Sequence, residues 1–232
     1  MAELEQVASL QQEIWGAPEV AAPSYLLKAM SVAGGIVLLA EGADQPLGFA
    51  YGFTGRSSQG SIYHRSHAAG VVAGARDSGI GGALKLAQRE QALTLGLSLM
   101  VWTFDPTQGR NAHFNLNRLG ATARRFHRDY YGERSDPMNH GRHSDRLVVE
   151  WRLLPEQQGP VEQMRRNASL EVSMPPALVN PSPGPRTEAS YRKFREAMED
   201  AFSRGLVAVG YDRERMAYYF SEPAGSLPAA VE

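Results

Sequence analysis

The chain has 232 residues, no cysteine and a formal net charge of −1. The length suffices for a full core, the missing cysteines exclude disulfides and thiolate metal sites, and the balanced charge leaves no basic excess for nucleic-acid phosphates. No apolar run approaches the roughly 20 residues of a membrane span, and the acidic start Met1-Ala2-Glu3-Leu4-Glu5 is unlike an export signal, so a cytoplasmic protein is expected.

Apolar residues at helical spacing predict helices over Glu3–Trp15 and Pro23–Ala33, separated by the Gly16-Ala17-Pro18 break. Ile36–Ala40 and Leu47–Phe53 read as an antiparallel hairpin. Ser61–Val72 is a third strand, in which Gly70 marks an expected irregularity. Arg76-Asp77-Ser78-Gly79-Ile80-Gly81-Gly82 follows, and Ile80, Ala83, Leu84, Ala87, Ala92 and Leu95 then recur as one face of a helix. Leu97–Phe104 reads as a buried strand stopped by Asp105-Pro106, and Asn111–Leu119 as a short helix capped by Gly120. Ala121–Phe126 and Leu147–Leu154 are two further strands, flanking a polar loop from Asp129 to Arg142. Pro155–Pro160 has the composition of a boundary, so residues 1–154 and 155–232 are expected as two domains. The second is expected to hold a strand over Ser169–Val172, an extended stretch over Pro175–Pro185, a helix over Glu188–Ser203 and a hairpin around Asp212-Arg213-Glu214.

The glycine stretch is the strongest chemical signal. A strand, a tight glycine turn and a helix start leave backbone N–H groups uncovered at the positive end of the helix dipole, a cradle for phosphate. It is neither of two common phosphate loops: Gly82 is followed by Ala83 and Leu84, so the lysine and hydroxyl of a nucleoside-triphosphatase loop are missing, and position 84 is not the third glycine of a dinucleotide fingerprint.

Arg76, Gly79 and Gly81 do satisfy Arg/Gln-x-x-Gly-x-Gly/Ala, the pyrophosphate loop of the GCN5-related N-acetyltransferases. The element order over residues 1–154, and the later run Asn111-Ala112-His113-Phe114-Asn115-Leu116-Asn117-Arg118-Leu119-Gly120, resemble that superfamily too. Trp102–Pro106, Tyr130-Tyr131-Gly132 and Ser144-Asp145-Arg146 resemble a bacterial branch that carries a C-terminal extension. The resemblance implies an α/β fold with a mixed, mostly antiparallel sheet flanked by helices. It also implies acetyl-CoA or another acyl-CoA, such as succinyl-CoA, as cosubstrate. The acceptor would be the amine of a small molecule, an amino acid among the candidates, and no metal would take part. Gly70, Val71 and Val72 would line the acyl arm, Arg76, Asp77, Ser78, Gly79, Ile80, Gly81 and Gly82 would hold the pyrophosphate, and Asn111 and Asn115 would complete the cofactor site.

Three residues are candidates for proton handling: His67, on the strand where relatives place a base; Asp105, at a strand's carboxyl end; and Tyr131. Tyr130, Asp145 and Arg146 are candidates for holding the acceptor. The plain structural alternatives are a satisfied histidine for His67, a turn cap for Asp105, aromatic packing for Tyr130 and Tyr131, and a surface ion pair for Asp145 and Arg146. His140 and His143, three apart in the polar loop, join no converging metal set. Leu116 stands where many relatives carry the tyrosine that protonates the departing thiolate. That departure keeps a second class open, a non-catalytic acyl-CoA-binding module. A homodimer is among the assemblies the apolar face of the last helix allows; nucleic acid and membrane are not expected as partners.

Overall fold

The computed structural model describes residues 1–16, 20–132, 143–154, 161–179 and 185–223. The expectations for 17–18 of the first break, for 133–142 with His140, for 155–160 and for 180–184 lie outside them. Two compact units divide the described chain, residues 1–101 and residues 102–132 with 143–223.

In the first unit, α1 (Ala2–Trp15) and α2 (Ser24–Val32) precede β1 (Ile36–Glu41), β2 (Pro46–Arg56) and β3 (Ile62–Val71); α3 (Ile80–Thr94) follows the glycine loop, and β4 (Leu99–Phe104) begins. The strand order is β1-β2-β3-β4, antiparallel except for the last pair. Val7 and Leu10 of α1 and Leu27 of α2 bury against Phe49 and Tyr51 of β2, with Val72 closing the cluster. Full burial of each such side chain is worth about 1.5–3 kcal/mol. Gln11, wholly buried, fixes the docking of α1: its Oε1 accepts from the Tyr51 hydroxyl at 3.0 Å and from the Ala22 N–H at 2.9 Å.

The irregularity in β3 is three residues earlier than the sequence reading put it. Tyr51 pairs with Ala68 and Gly52 with Ser66, so His67 is the unpaired extra residue of a β-bulge. Gly70 has another reason for being glycine: a Cβ there would meet Ile14 Cδ1 and Phe49 Cε1, both at 3.0 Å.

In the second unit, α4 (Gly109–Ala112) continues as a π-helical turn over His113–Arg118, where one unbroken helix was expected. Gly120 ends it with φ 70°, as a left-handed cap. β5 (Thr122–His127), β6 (Arg146–Arg152), α5 (Val161–Arg166), β7 (Leu170–Ser173), α6 (Pro185–Ser203), β8 (Val207–Asp212) and β9 (Ala217–Ser221) complete it, in the strand order β6-β5-β8-β9-β7. The expected extended stretch after Met174 contains a 3-10 turn at Pro176–Leu178. The terminal hairpin is as expected, its turn held by Asp212 accepting from the N–H groups of Glu214 and Arg215 at 2.8 and 2.9 Å. β8 pairs with β5 at Ala208 and Ala123, so the segment after Leu154 continues the sheet that β5 and β6 begin. Met198 and Ala201 of α6 are fully buried. Among the described residues no helix is long and apolar enough to cross a membrane.

Candidate functional site

The glycine loop leaves β3 through a 3-10 turn, Ala73–Ala75. Arg76 folds back to donate from Nε to the Val71 carbonyl at 3.4 Å, and Ser78 Oγ donates to the Ala75 carbonyl at 2.6 Å. Asp77 and Gly79 have φ of 65° and 92°, the reversal that turns the chain into α3. α3 starts with no side-chain cap and no acidic residue in its first turn. Its first intrahelical bond runs from Ala83 N–H to the Gly79 carbonyl at 3.0 Å, so the N–H groups of Ile80, Gly81 and Gly82 come before any intrahelical partner. A Cβ on Gly79 or Gly82 would meet no atom within 4 Å. The glycines are therefore not demanded by internal packing, and an anion can approach the backbone closely.

Beside the loop runs the other cofactor candidate, the end of β3. β3 pairs with β4 at His64 and Arg65; among the described residues no strand pairs with that edge from Ser66 to Val71. Backbone N–H and C=O groups there are available to an extended ligand. His67, at the bulge, is exposed and lies against the rings of Tyr51 and Phe53, with centroids 5.6 and 5.8 Å away. Partial desolvation of the ring, for all its exposed edge, and then the charge of Arg65 hold its pKa below the ordinary value of 6.5. A lowered pKa favours the neutral imidazole, the form a base needs. If it takes the proton, the acid limb of the pH–rate profile will lie below pH 6.5 in the wild type and vanish in His67→Ala; an unmoved limb in that variant excludes it.

The remaining candidates are in the second unit. Asp105 is engaged as a turn cap, Oδ1 accepting from Thr107 N–H at 2.8 Å and Thr107 Oγ1 at 2.7 Å. Asn115 is buried and accepts from Trp102 Nε1 at 3.2 Å, whereas Asn111 is exposed. Leu116 is 0% exposed, in the core. Asp145 is 1% exposed, and Arg195 of α6 takes both its oxygens, at 2.7 and 2.5 Å. This is a buried ion pair where the plain alternative had been a surface one, and it leaves that carboxylate engaged within the protein. Arg146 donates to the Asp145 carbonyl and lies over the Tyr131 ring, 5.2 Å from its centroid. Ser144 holds the aromatic turn, its carbonyl accepting from Tyr130 N–H and its Oγ from Tyr131 N–H, both at 3.1 Å. Tyr131 keeps 42% of its surface exposed, with its hydroxyl 3.4 Å from Thr103 Oγ1. Among the described residues no three metal-ligating side chains converge.

No protein-family profile and no curated protein matches the sequence. Solved structures do match its fold. The Salmonella typhimurium protein yncA, with its cofactor acetyl-CoA, superposes with a TM-score of 0.53 at 18% identity, over 66% of this chain and 90% of that one. The ribosomal-protein-S18-alanine N-acetyltransferase of Escherichia coli gives 0.51 at 14% identity, over 66% and 89%. Chaetomium thermophilum Naa20, in complex with a bisubstrate analogue, gives 0.51 at 16%, over 66% and 81%. The chain has the fold of the GCN5-related N-acetyltransferases.

Within that acetyltransferase fold the sequence reading missed a buried polar cluster. Lys85, one turn into α3, is 5% exposed and donates from Nζ to Ser66 Oγ at 2.6 Å; Ser66 in turn donates to Gln88 Oε1 at 2.8 Å. His64, 1% exposed, lies on the same face of β3. Burial pushes Lys85 down to about 7; burial and the charge of Lys85 push His64 down to about 4. A signal was available: Lys85 and Gln88, three apart, interrupt the apolar stripe of α3, and His64 and Ser66, two apart, share a strand face. Arg195 and Tyr191 were missed too, because they act on residues some 50 positions away.

Proposed function

We propose that the protein is an acyl-CoA-dependent N-acyltransferase that moves an acetyl or other short acyl group to the amine of a small molecule in a ternary complex. The observation that carries this reading is the start of α3: an uncapped helix N-terminus without acidic residues, approached through glycines whose missing side chains leave open space. It suits a pyrophosphate, and the open edge of β3 beside it suits the amide-bearing acyl arm. The chemistry requires the amine neutral, the thioester carbonyl polarised and the thiolate protonated on leaving. His67 is the candidate base, free backbone N–H groups around the bulge would polarise the carbonyl, and Tyr131 is the candidate acid. Calorimetric titration with acetyl-CoA tests the site. Thiol release from acetyl- and succinyl-CoA, against a panel of amines and amino acids, tests the reaction; absence of binding overturns the reading.

Tyr131→Phe keeps the ring and removes the hydroxyl. The chemical step should slow by about 10²-fold or more with acetyl-CoA affinity unchanged; a full rate in single-turnover measurements would make Tyr131 a packing residue. A thiolate with a pKa of roughly 8.5 is a tolerable leaving group, so the loss should not be total. Leu116, buried where relatives hold the acid, favours a second reading, an acyl-CoA-binding module without turnover. Such a module would bind acetyl-CoA and release no thiol with any acceptor.

A further inference from the structure

We propose that Lys85 is a positioning residue: through Ser66 it holds β3 at the place where the strand leaves β4 and bulges, and thereby fixes the edge that receives the acyl arm. The inference rests on the acyl-CoA reading of that edge. Ser66 is the first residue of β3 beyond the last pair with β4, Arg65 with Val101, and the residue immediately before the bulge at His67. Its hydroxyl is held from two sides, by Lys85 Nζ at 2.6 Å and by Gln88 Oε1 at 2.8 Å, both from α3. α3 is also the helix whose first turn forms the anion cradle, and Lys85 comes three residues after Gly82. One rigid helix therefore carries the pyrophosphate cradle at its tip and the anchor of the strand edge one turn later.

The cluster is an expensive way to fill a core. His64 Nε2 and Gln88 Nε2 are buried without a hydrogen-bond partner among the described residues, and a lysine amine has been taken out of water. Apolar side chains would fill the same volume without those costs, so the arrangement serves geometry more than stability. What it fixes is the backbone of Ser66, and with it the direction in which the unpaired groups from His67 to Val71 point.

The test uses two probes. 3′-Phosphoadenosine 5′-diphosphate reaches the loop alone; acetyl-CoA reaches the loop and the strand edge. Lys85→Met, which keeps the length and removes the hydrogen bond, should weaken acetyl-CoA at least tenfold and leave the nucleotide within twofold. Ser66→Ala should show the same split, and Ser66→Thr, which restores the hydroxyl, should regain acetyl-CoA affinity. These two keep the test decisive if Lys85→Met does not fold. Equal losses on both probes, which general loosening of the fold would cause, or no loss on either, overturn the inference while leaving the acyl-CoA reading standing. Wild-type protein that binds neither probe overturns that reading, and the inference with it.

Discussion

Replacing Gly82 by valine is expected to weaken acetyl-CoA binding ten- to a hundredfold, about 1.4–2.8 kcal/mol, in a protein that remains fully folded. The size follows from the site. A branched side chain on the first turn of α3 would stand between the ligand and N–H groups that have no intrahelical acceptor, and leaving such polar partners unmade costs about 1–3 kcal/mol. The position suits the experiment better than Gly79. Gly79 has φ 92°, so any side chain there adds backbone strain to the steric effect, and a loss of binding would have two causes. Gly82 has helical geometry, and a Cβ on it meets no atom within 4 Å. In the free protein the change should be neutral to slightly stabilising, by up to about 0.5 kcal/mol, because valine, though β-branched, is a better helix residue than glycine. A variant that melts no lower than wild type and binds acetyl-CoA equally well in calorimetry would remove the loop from the cofactor site.

Arg195→Met is expected to destabilise the protein by about 3–5 kcal/mol, measured by urea denaturation, through a different mechanism. Asp145 is 1% exposed, and without the guanidinium its charge would remain in the interior, met by the Asp129 N–H at 2.9 Å but by no cation in the pair's place. The contact of Arg195 with Asp129, at 3.2 Å to a carboxylate that is 42% exposed, contributes at most about 1 kcal/mol. Asp145→Asn in the Arg195→Met background should recover a large part of the loss, because a neutral amide can keep the Asp129 hydrogen bond without an unpaired charge. Equal destabilisation in the single and double variants would show that packing of the arginine stem, not its charge, holds α6 in place.

Both predictions concern features that the sequence disclosed unequally. The glycine loop was legible because its signal is local: three glycines within four residues, between an apolar strand and an amphipathic helix, require nothing from distant segments. The strands of the first unit were legible for the same reason, Phe49 and Tyr51 alternating with small residues that admit the sheet's neighbours. Asp145 was not. Its neighbour Arg146 suggested an exposed pair for an acceptor, while its true partner is 50 residues on, and no local pattern announces a pairing at that separation. Gly70 misled only as to the bulge, which lies at His67: glycine reports a close approach without saying of what, and on its Cβ side Ile14 and Phe49 approach. Asn115 satisfied a motif, yet its amide oxygen is taken by Trp102. The buried Lys85 was hidden by its residue type, since lysine on a helix is ordinarily a solvated side chain.

The π-helical turn after α4 bears on how this protein should be lined up with others. Its closing bond spans five residues, from Leu119 N–H to the Phe114 carbonyl at 3.0 Å, and beyond the Gly120 cap Ala121 N–H reaches the Asn115 carbonyl at 3.1 Å. A turn of that kind holds one more residue than a regular α-helical turn, so side chains on its two sides are rotated relative to the ordinary helical count. Against any helix that is regular here, the correct superposition needs a one-residue gap inside the helix, between Ala112 and Leu119. Counting positions back from Gly120 without that gap matches residues on different faces. Leu116 lies inside this turn, so its direction differs from that of the residue at the same count in a regular helix.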